Sequence, residues 1–319
     1  MTQETFFKSI RLTKRNNIMS PMTSFQNFKS GFAVIAGAPN AGKSTLLNRM
    51  LGQKVSITSK KPQTTRNRIL GVVHRPNAQI VFIDTPGIHK AKKPLNIRIV
   101  DTALSALADV DIALVVADAA KPDPDSEAYI LKKLRSNRKP VILALNKIDL
   151  VEKVKLLDMI SSWSQAYPFE TIIPVSAKNG EQVDVLVENM ENILPEGPPF
   201  FPEETLTDLP ERFIAAEMVR EKVFRFTGEE IPYATAVTID TFDENPAKKI
   251  VKINATIHVE RNSQKGIIIG KKGSRLKQIG QAARQDIERL LGTRVYLELF
   301  IRVQKNWSRD TKALRRFGY

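Results

Sequence analysis

FAVIAGAPNAGKSTLLNRML, residues 32–51, sets an apolar run, a glycine-bounded loop and an amphipathic run one after another. FAVIAG reads as a buried strand and STLLNRML as a helix. Between them GAPNAGKS, residues 37–44, fits G-x-x-x-x-G-K-[ST], a pattern that has mechanical meaning only at a strand-to-helix turn. Backbone N–H groups of residues 38–43 would cradle phosphates, Lys43 would reach the β- and γ-phosphates, and the Ser44 hydroxyl would bind magnesium. Alone, the pattern can arise by chance in a glycine loop. Its surroundings decide.

Outward from this loop, short β-branched runs alternate with helical stretches: ILGVVHR, AQIVFIDT, DIALVVAD, PVILALNK and TIIPVSA. Such alternation specifies an α/β domain, a mostly parallel sheet covered by helices on both faces. Functional residues then gather in loops at the carboxyl ends of the strands. Asp84-Thr85-Pro86-Gly87 follows AQIVFI, so Asp84 would hold magnesium through water. KKPQTTRNRIL lies between the two motifs, and Thr65, next to Arg66, is chosen over Thr64 as a threonine that completes the magnesium shell when a γ-phosphate is present. Asn146-Lys147-Ile148-Asp149 ends PVILAL. The Asp149 carboxylate matches the N1–H and 2-amino donors of guanine, which adenine lacks, and Ser176-Ala177-Lys178 would close over the base. The expected nucleotide contacts are thus Gly37, Ala38, Pro39, Asn40, Ala41, Gly42, Lys43, Ser44 and Thr45, then Asp84 to Ile88, Asn146 to Asp149, and Ser176 to Lys178.

Composition bounds the rest. The 319 residues hold 42% hydrophobic and 26% charged positions, ordinary for a globular protein and enough for two domains. No cysteine is present, which excludes disulfides, thiolate metal sites and cysteine nucleophiles. The net charge of +15 is concentrated: residues 261–319 carry 15 Lys or Arg against 4 Asp or Glu. That points to nucleic acid or an anionic membrane surface, with a solvated basic face as the plainer alternative. Residues 1–30 are polar and basic with methionines at Met19 and Met22, and are expected to be a disordered extension or the product of a start assigned too early.

Pro195, Pro198, Pro199, Pro202 and Pro210 fall within sixteen residues, so residues 196–210 read as an ordered or semi-rigid linker between a domain at 31–195 and another at 211–319. Beyond it the pattern becomes α-β-β-α-α-β. GIIIGKKGSRLKQIG, residues 266–280, places Gly270-Lys271-Lys272-Gly273 between two helical runs. A second nucleotide loop there lacks the lysine-serine signature and follows a helix instead of a strand. RNA backbone is the better ligand, with Ser274 and Arg275 beside the loop; Ile267, Ile268, Ile269 and Ile279 are candidates for an apolar groove under the bases, although isoleucines at helical spacing are usually core.

With GAPNAGKS, QTTR, DTPG, NKID and SAK in this order, residues 31 to about 195 resemble the small GTPases of the translation-factor class. The second half, with its G-x-x-G loop between helices, resembles a KH domain of the prokaryotic arrangement. Together with the tail QKNWSRDTKALRRFGY, residues 30–319 are similar to the Era family of bacterial ribosome-assembly GTPases, over about nine-tenths of the chain. The resemblance implies hydrolysis of GTP to GDP and phosphate. Lys43, Thr65, Asp84 and Gly87 would form the catalytic set, with Mg2+ held at Ser44, Thr65 and Asp84. Ile88 stands where Ras-like enzymes place a water-orienting glutamine, so intrinsic turnover is expected to be slow. His89 beside it is more readily incidental than a substitute base. In related GTPases an asparagine at the place of Asn40 helps hold K+, although Asn40 also suits a strained loop on its own account. The implied partners are small-subunit ribosomal RNA near its 3′ end and the 30S subunit, for a cytoplasmic monomer that also associates with the inner face of the membrane. Two competing classes are an assembly chaperone with vestigial hydrolysis and a membrane-surface GTPase.

Overall fold

The computed structural model describes residues 27–58, 69–84, 110–135, 139–228, 231, 235–307 and 317. They form two compact units: the first runs to Leu51 and again from Ile69 to Asp208, and the second takes Gly52 to Thr58 and then Leu209 onward.

In the first unit β1 (Lys29–Gly37) leads through the glycine loop into α1 (Lys43–Leu51). β2 (Ile69–Arg75) and β3 (Ala78–Asp84) form a hairpin, followed by β4 (Ile112–Asp118), α2 (Pro124–Leu134), β5 (Val141–Asn146), α3 (Lys153–Ala166), β6 (Thr171–Val175) and α4 (Val183–Ile193). The strand order is β2-β3-β1-β4-β5-β6, with only β2 antiparallel to its neighbour. β3 and β5 are buried at every residue, which is why they read as unbroken apolar runs instead of alternating ones. Each buried Val, Ile or Leu contributes ~1.5–3 kcal/mol of transfer free energy towards the entropic cost of ordering the chain. β1 lies between β3 and β4, so its carboxyl end opens at the point where the strand order reverses, and ligands of such sheets bind there.

Two boundaries differ from the sequence expectation. β1 begins at Lys29, inside the stretch expected to be an extension, because Lys29 N–H donates to Asn77 O at 2.9 Å and Ser30 N–H to Pro195 O at 3.0 Å. Residues 196–207, expected as a linker, lie along the first unit. Gln79, fully buried, accepts from the N–H groups of Phe200 and Phe201 at 2.7 and 3.0 Å and donates to Phe201 O at 2.7 Å. Further on, Val72 N–H donates to Leu206 O at 2.9 Å and the Thr207 hydroxyl to Leu70 O at 2.6 Å. Prolines forbid helix here, yet an extended segment can still be fixed by its carbonyls and by side chains that reach it.

The second unit contains α5 (Glu211–Phe226), β7 (Ala236–Asn245), β8 (Ile250–Val259), α6 (Asn262–Ile269), α7 (Ser274–Leu291) and β9 (Arg294–Val303). Its sheet has the order β7-β8-β9, with the first pair antiparallel and the second parallel. α5 is buried from Ile214 to Phe224, charged residues included. Arg220 meets Glu217 through two hydrogen bonds of 2.7 and 2.6 Å. Lys54 Nζ stands 2.7 Å from both Glu221 and Asp286, and Lys222 bonds the same two carboxylates. Burial alone would raise the Asp286 carboxyl, but the two ammonium groups outweigh it and hold it below the usual carboxylate range. Buried charges of this kind are tolerated because each has an opposite partner.

Candidate functional site

Register alone brings the candidate nucleotide residues together. β1 pairs with β3 so that Ile35 faces Asp84, β4 with β5 so that Asp118 faces Asn146, and β5 with β6 so that Asn146 faces Val175. Gly37, Asp84, Asn146 and Ser176 therefore end up along one edge of the sheet.

The glycines of the loop are there for space and for dihedrals. A Cβ on Gly37 would lie 2.4 Å from Val116 O, and one on Gly42 2.2 Å from Asn146 Nδ2, where φ is also +99°. The Lys43 ammonium donates to the carbonyls of Gly37 and Ala38 at 3.0 and 2.9 Å. Burial pushes its pKa down to about 8, with the charge of Asp84 pulling the other way. The Ser44 hydroxyl donates to Asp84 Oδ2 at 2.9 Å. A hydroxyl, a carboxylate and a cation around backbone N–H groups suit a phosphate chain with a small hard cation. Among the described residues no group of three or more His, Asp or Glu that could hold a metal occurs.

Asn146, buried, ties two loops together: it donates to Ala41 O at 2.8 Å and accepts from Ala177 N–H at 3.0 Å. Lys147 takes a left-handed φ of 68° and bonds Asp118 at 2.5 Å. Ser176 donates to Asp149 Oδ1 at 2.7 Å, aligning the carboxylate proposed to meet a base. Ile148 follows Lys147 in a single helical turn, and Pro39, Asn40 and Thr45 lie in the loop and first turn of α1. Thr65, Thr85, Pro86, Gly87, Ile88 and His89 lie outside the described residues.

In the second unit Gly270 to Gly273 form a tight turn between α6 and α7. Gly270, Lys272 and Gly273 have φ of 70°, 50° and 77°, and Lys271 and Lys272 are exposed. Arg275 donates back to Ile267 O at 2.6 Å, and Ser274 opens α7. The groove expectation needs correcting: Ile268 and Ile279 are fully buried and serve the core, because a side chain with no accessible surface cannot meet a base. Ile267 is exposed and Ile269 half-buried.

A family model described as 50S ribosome-binding GTPase matches residues 32–147, and a KH-domain model matches residues 230–308. GTPase Era of Geobacter metallireducens is 56% identical over 292 residues, covering 92% of this chain and 98% of that protein. GTPase Era of Geobacter sp. strain M21 is 57% identical, covering 93% and 99%. This chain belongs to the Era GTPase family. Among solved structures, a single-residue variant of Aquifex aeolicus Era bound to GDP.AlF4− is 45% identical with a TM-score of 0.85, covering 92% of this chain and 99% of that one. Era in complex with MgGDPNP and nucleotides 1506–1542 of 16S ribosomal RNA is 44% identical with a TM-score of 0.86, at the same coverage.

Within the Era frame, the first unit is the GTPase domain and the second the KH domain. Two residues outside the sequence motifs hold the candidate nucleotide loops in place. Asp118, which holds Lys147, ends DIALVVAD as Asp84 ends AQIVFID, a parallel that points to it. Arg49 crosses from α1 to the loop after β6, and no motif in the sequence marks it.

Proposed function

We propose that this GTPase is a switch that binds small-subunit ribosomal RNA near its 3′ end through its KH domain and assists assembly of the 30S subunit. One coincidence carries the reading. A strand-end nucleotide site and an exposed Gly-Lys-Lys-Gly turn occur in one chain, which is 44% identical to a protein crystallised with both MgGDPNP and 16S ribosomal RNA. Lys43 and the N–H groups of residues 38–43 hold the β- and γ-phosphates, and Ser44 and Asp84, with Thr65, are the magnesium side chains. Magnesium, when bound, neutralises charge that builds on the transferred phosphoryl oxygens. Asp149, aligned by Ser176, accepts from the two guanine donors. Lys271 and Lys272 attract RNA phosphates without reading sequence. The place of action is the cytoplasm.

The test compares binding of three probes to the full chain loaded with a GTP analogue. They are an RNA of the 16S 3′-terminal sequence, a scrambled RNA of equal length, and anionic phospholipid vesicles. Preference for the first supports the proposal. Equal binding to the scrambled RNA overturns the ribosomal assignment, and preference for vesicles makes the basic surface a membrane contact. In parallel, Asp149→Asn should shift preference from GTP to xanthosine triphosphate; unchanged GTP binding would remove Asp149 from the base site.

A further inference from the structure

Arg49 sits in the last turn of α1, where a basic side chain is favoured by the helix dipole whatever it touches. Its contacts go beyond that. Nε donates to Ala177 O at 3.2 Å and Nη2 donates to Lys178 O, both in the loop that follows Ser176. The same guanidinium lies across Gly180, where an added Cβ would come 3.6 Å from Nε and Nη1.

Peptide geometry gives these two bonds a consequence. In a trans peptide the C=O of one residue and the N–H of the next point in opposite directions, so fixing one fixes the other. Holding Lys178 O aims Asn179 N–H the other way, and that N–H donates to Ser176 Oγ at 3.2 Å. Ser176 Oγ, already an acceptor there, directs its own proton to Asp149 Oδ1 at 2.7 Å. Holding Ala177 O likewise sets the direction of Lys178 N–H. From the other side the loop is fixed by Asn146, which accepts from Ala177 N–H at 3.0 Å. Thus a side chain from the phosphate-binding helix completes the clamp on the loop that orients the base-reading carboxylate.

We infer that Arg49 is a positioning residue for guanine recognition: through Ala177 and Lys178 it holds the loop that aligns Asp149. The inference rests on the assignment of Asp149 and Ser176 to Lys178 as the base site. It concerns nucleotide residence and base selectivity, not the chemical step.

The experiment uses full-length Arg49→Ala, Arg49→Lys, Asp149→Ala and the double variant Arg49→Ala with Asp149→Ala. Dissociation of a fluorescent GDP is followed by stopped flow, alongside steady-state GTP hydrolysis. Arg49→Ala should release GDP about tenfold faster, since two hydrogen bonds from a charged donor are lost at a largely exposed position. KM should rise with kcat unchanged, the sign of lost binding common to ground and transition states. Lysine can donate to one of the carbonyls, so Arg49→Lys should lie between. In the Asp149→Ala background the further change should be under about twofold, because the residues act in one chain of contacts. Unaltered GDP release in Arg49→Ala overturns the inference. So does a full additive effect in the double variant, or a fall in kcat with no change in GDP release, since either describes a helix-end role alone. If Asp149→Ala itself leaves GDP release unchanged, the base-site assignment has failed first, and the inference falls with it.

Discussion

Lys43 must be a cation where water barely reaches it. Its ammonium is held by two carbonyls, and burial brings its pKa from 10.5 to about 8 despite the nearby Asp84. The folded pKa lies below the unfolded one, so nucleotide-free protein should gain stability as pH rises from about 8 towards 10.5. Binding reverses the shift, because phosphates favour the charged form. At pH 8.5 nucleotide binding should therefore take up about three-quarters of a proton, and affinity should fall by up to about tenfold per pH unit above the free pKa. Calorimetry in buffers of different ionisation enthalpy measures the uptake; none at pH 8.5 contradicts the assignment. Asn40 poses a separate question. Its φ of 65° suits asparagine without any ligand, so Asn40→Ala confuses backbone strain with loss of the amide. Asn40→Gly does not. If the amide helps hold K+, the unaltered protein should hydrolyse GTP faster in KCl than in NaCl of equal strength, and Asn40→Gly should abolish the difference. A difference that survives in Asn40→Gly would assign the potassium effect elsewhere.

The turn between α6 and α7 shows why some of this protein was legible before its fold was described. GKKG and GAPNAGKS are local signals: neighbours in sequence do the work together, and φ turns positive at Gly42, Gly270 and Gly273 and also at Asn40 and Lys272. Arg49 was not legible, because its partner lies 128 residues away and nothing nearby marks the meeting, whereas Asp118 was marked only by its place at a strand end, its partner lying 29 residues on. Residues 196–207 misled for the opposite reason. Their prolines exclude helix, but the partners that lay them along the first unit, Gln79, Leu70 and Val72, are remote in sequence. Ile268 and Ile279 have a spacing that is more often core than groove, and burial assigns them to the core. The turn itself supports a sharp expectation. Lys271→Ala with Lys272→Ala should weaken binding to all single-stranded RNAs alike and flatten the slope of log affinity against log salt by about 0.7 per lost contact. Gly273→Asp should be worse through strain at φ +77° and added negative charge, since a Cβ there meets no atom within 4 Å. Basal GTP hydrolysis should survive both changes, the nucleotide site being in the other unit. A double variant with unchanged RNA affinity and salt slope would refute the assignment.

The chain runs from one unit into the other at an informative place. Leu51 ends the helix that Lys43 begins, and the next residues, Gly52 to Thr58, belong with the KH unit. They are held there firmly: Lys54 by Glu221 and Asp286, Thr58 N–H by Glu221 at 3.0 Å, and Gln53 by Leu290 O at 3.4 Å. Onward in sequence lies Thr65, the proposed sensor of the γ-phosphate. One short stretch of backbone is thus continuous with the phosphate-binding helix at one end, leads towards the sensor at the other, and is anchored to the buried charges of α5 and α7 between. A nucleotide that orders Thr65 would pull on a segment whose other attachments are to the RNA-binding unit, so RNA affinity should differ between GDP and a GTP analogue, by about fivefold or more if the coupling is of ordinary size. Reciprocity then fixes a second quantity: RNA must tighten the favoured nucleotide by the same factor. Lys54→Met keeps the length of the side chain and removes the charge that ties this stretch to Glu221 and Asp286, which Lys222 still bridges. It should bring the ratio of RNA affinities in the two nucleotide states towards one, while leaving basal hydrolysis intact. Titrating RNA against protein loaded with each nucleotide, and each nucleotide against protein with and without RNA, measures all four equilibria. RNA affinities that are equal in the two states for the unaltered chain would rule the coupling out, and a ratio unaffected by Lys54→Met would mean that it travels by another route.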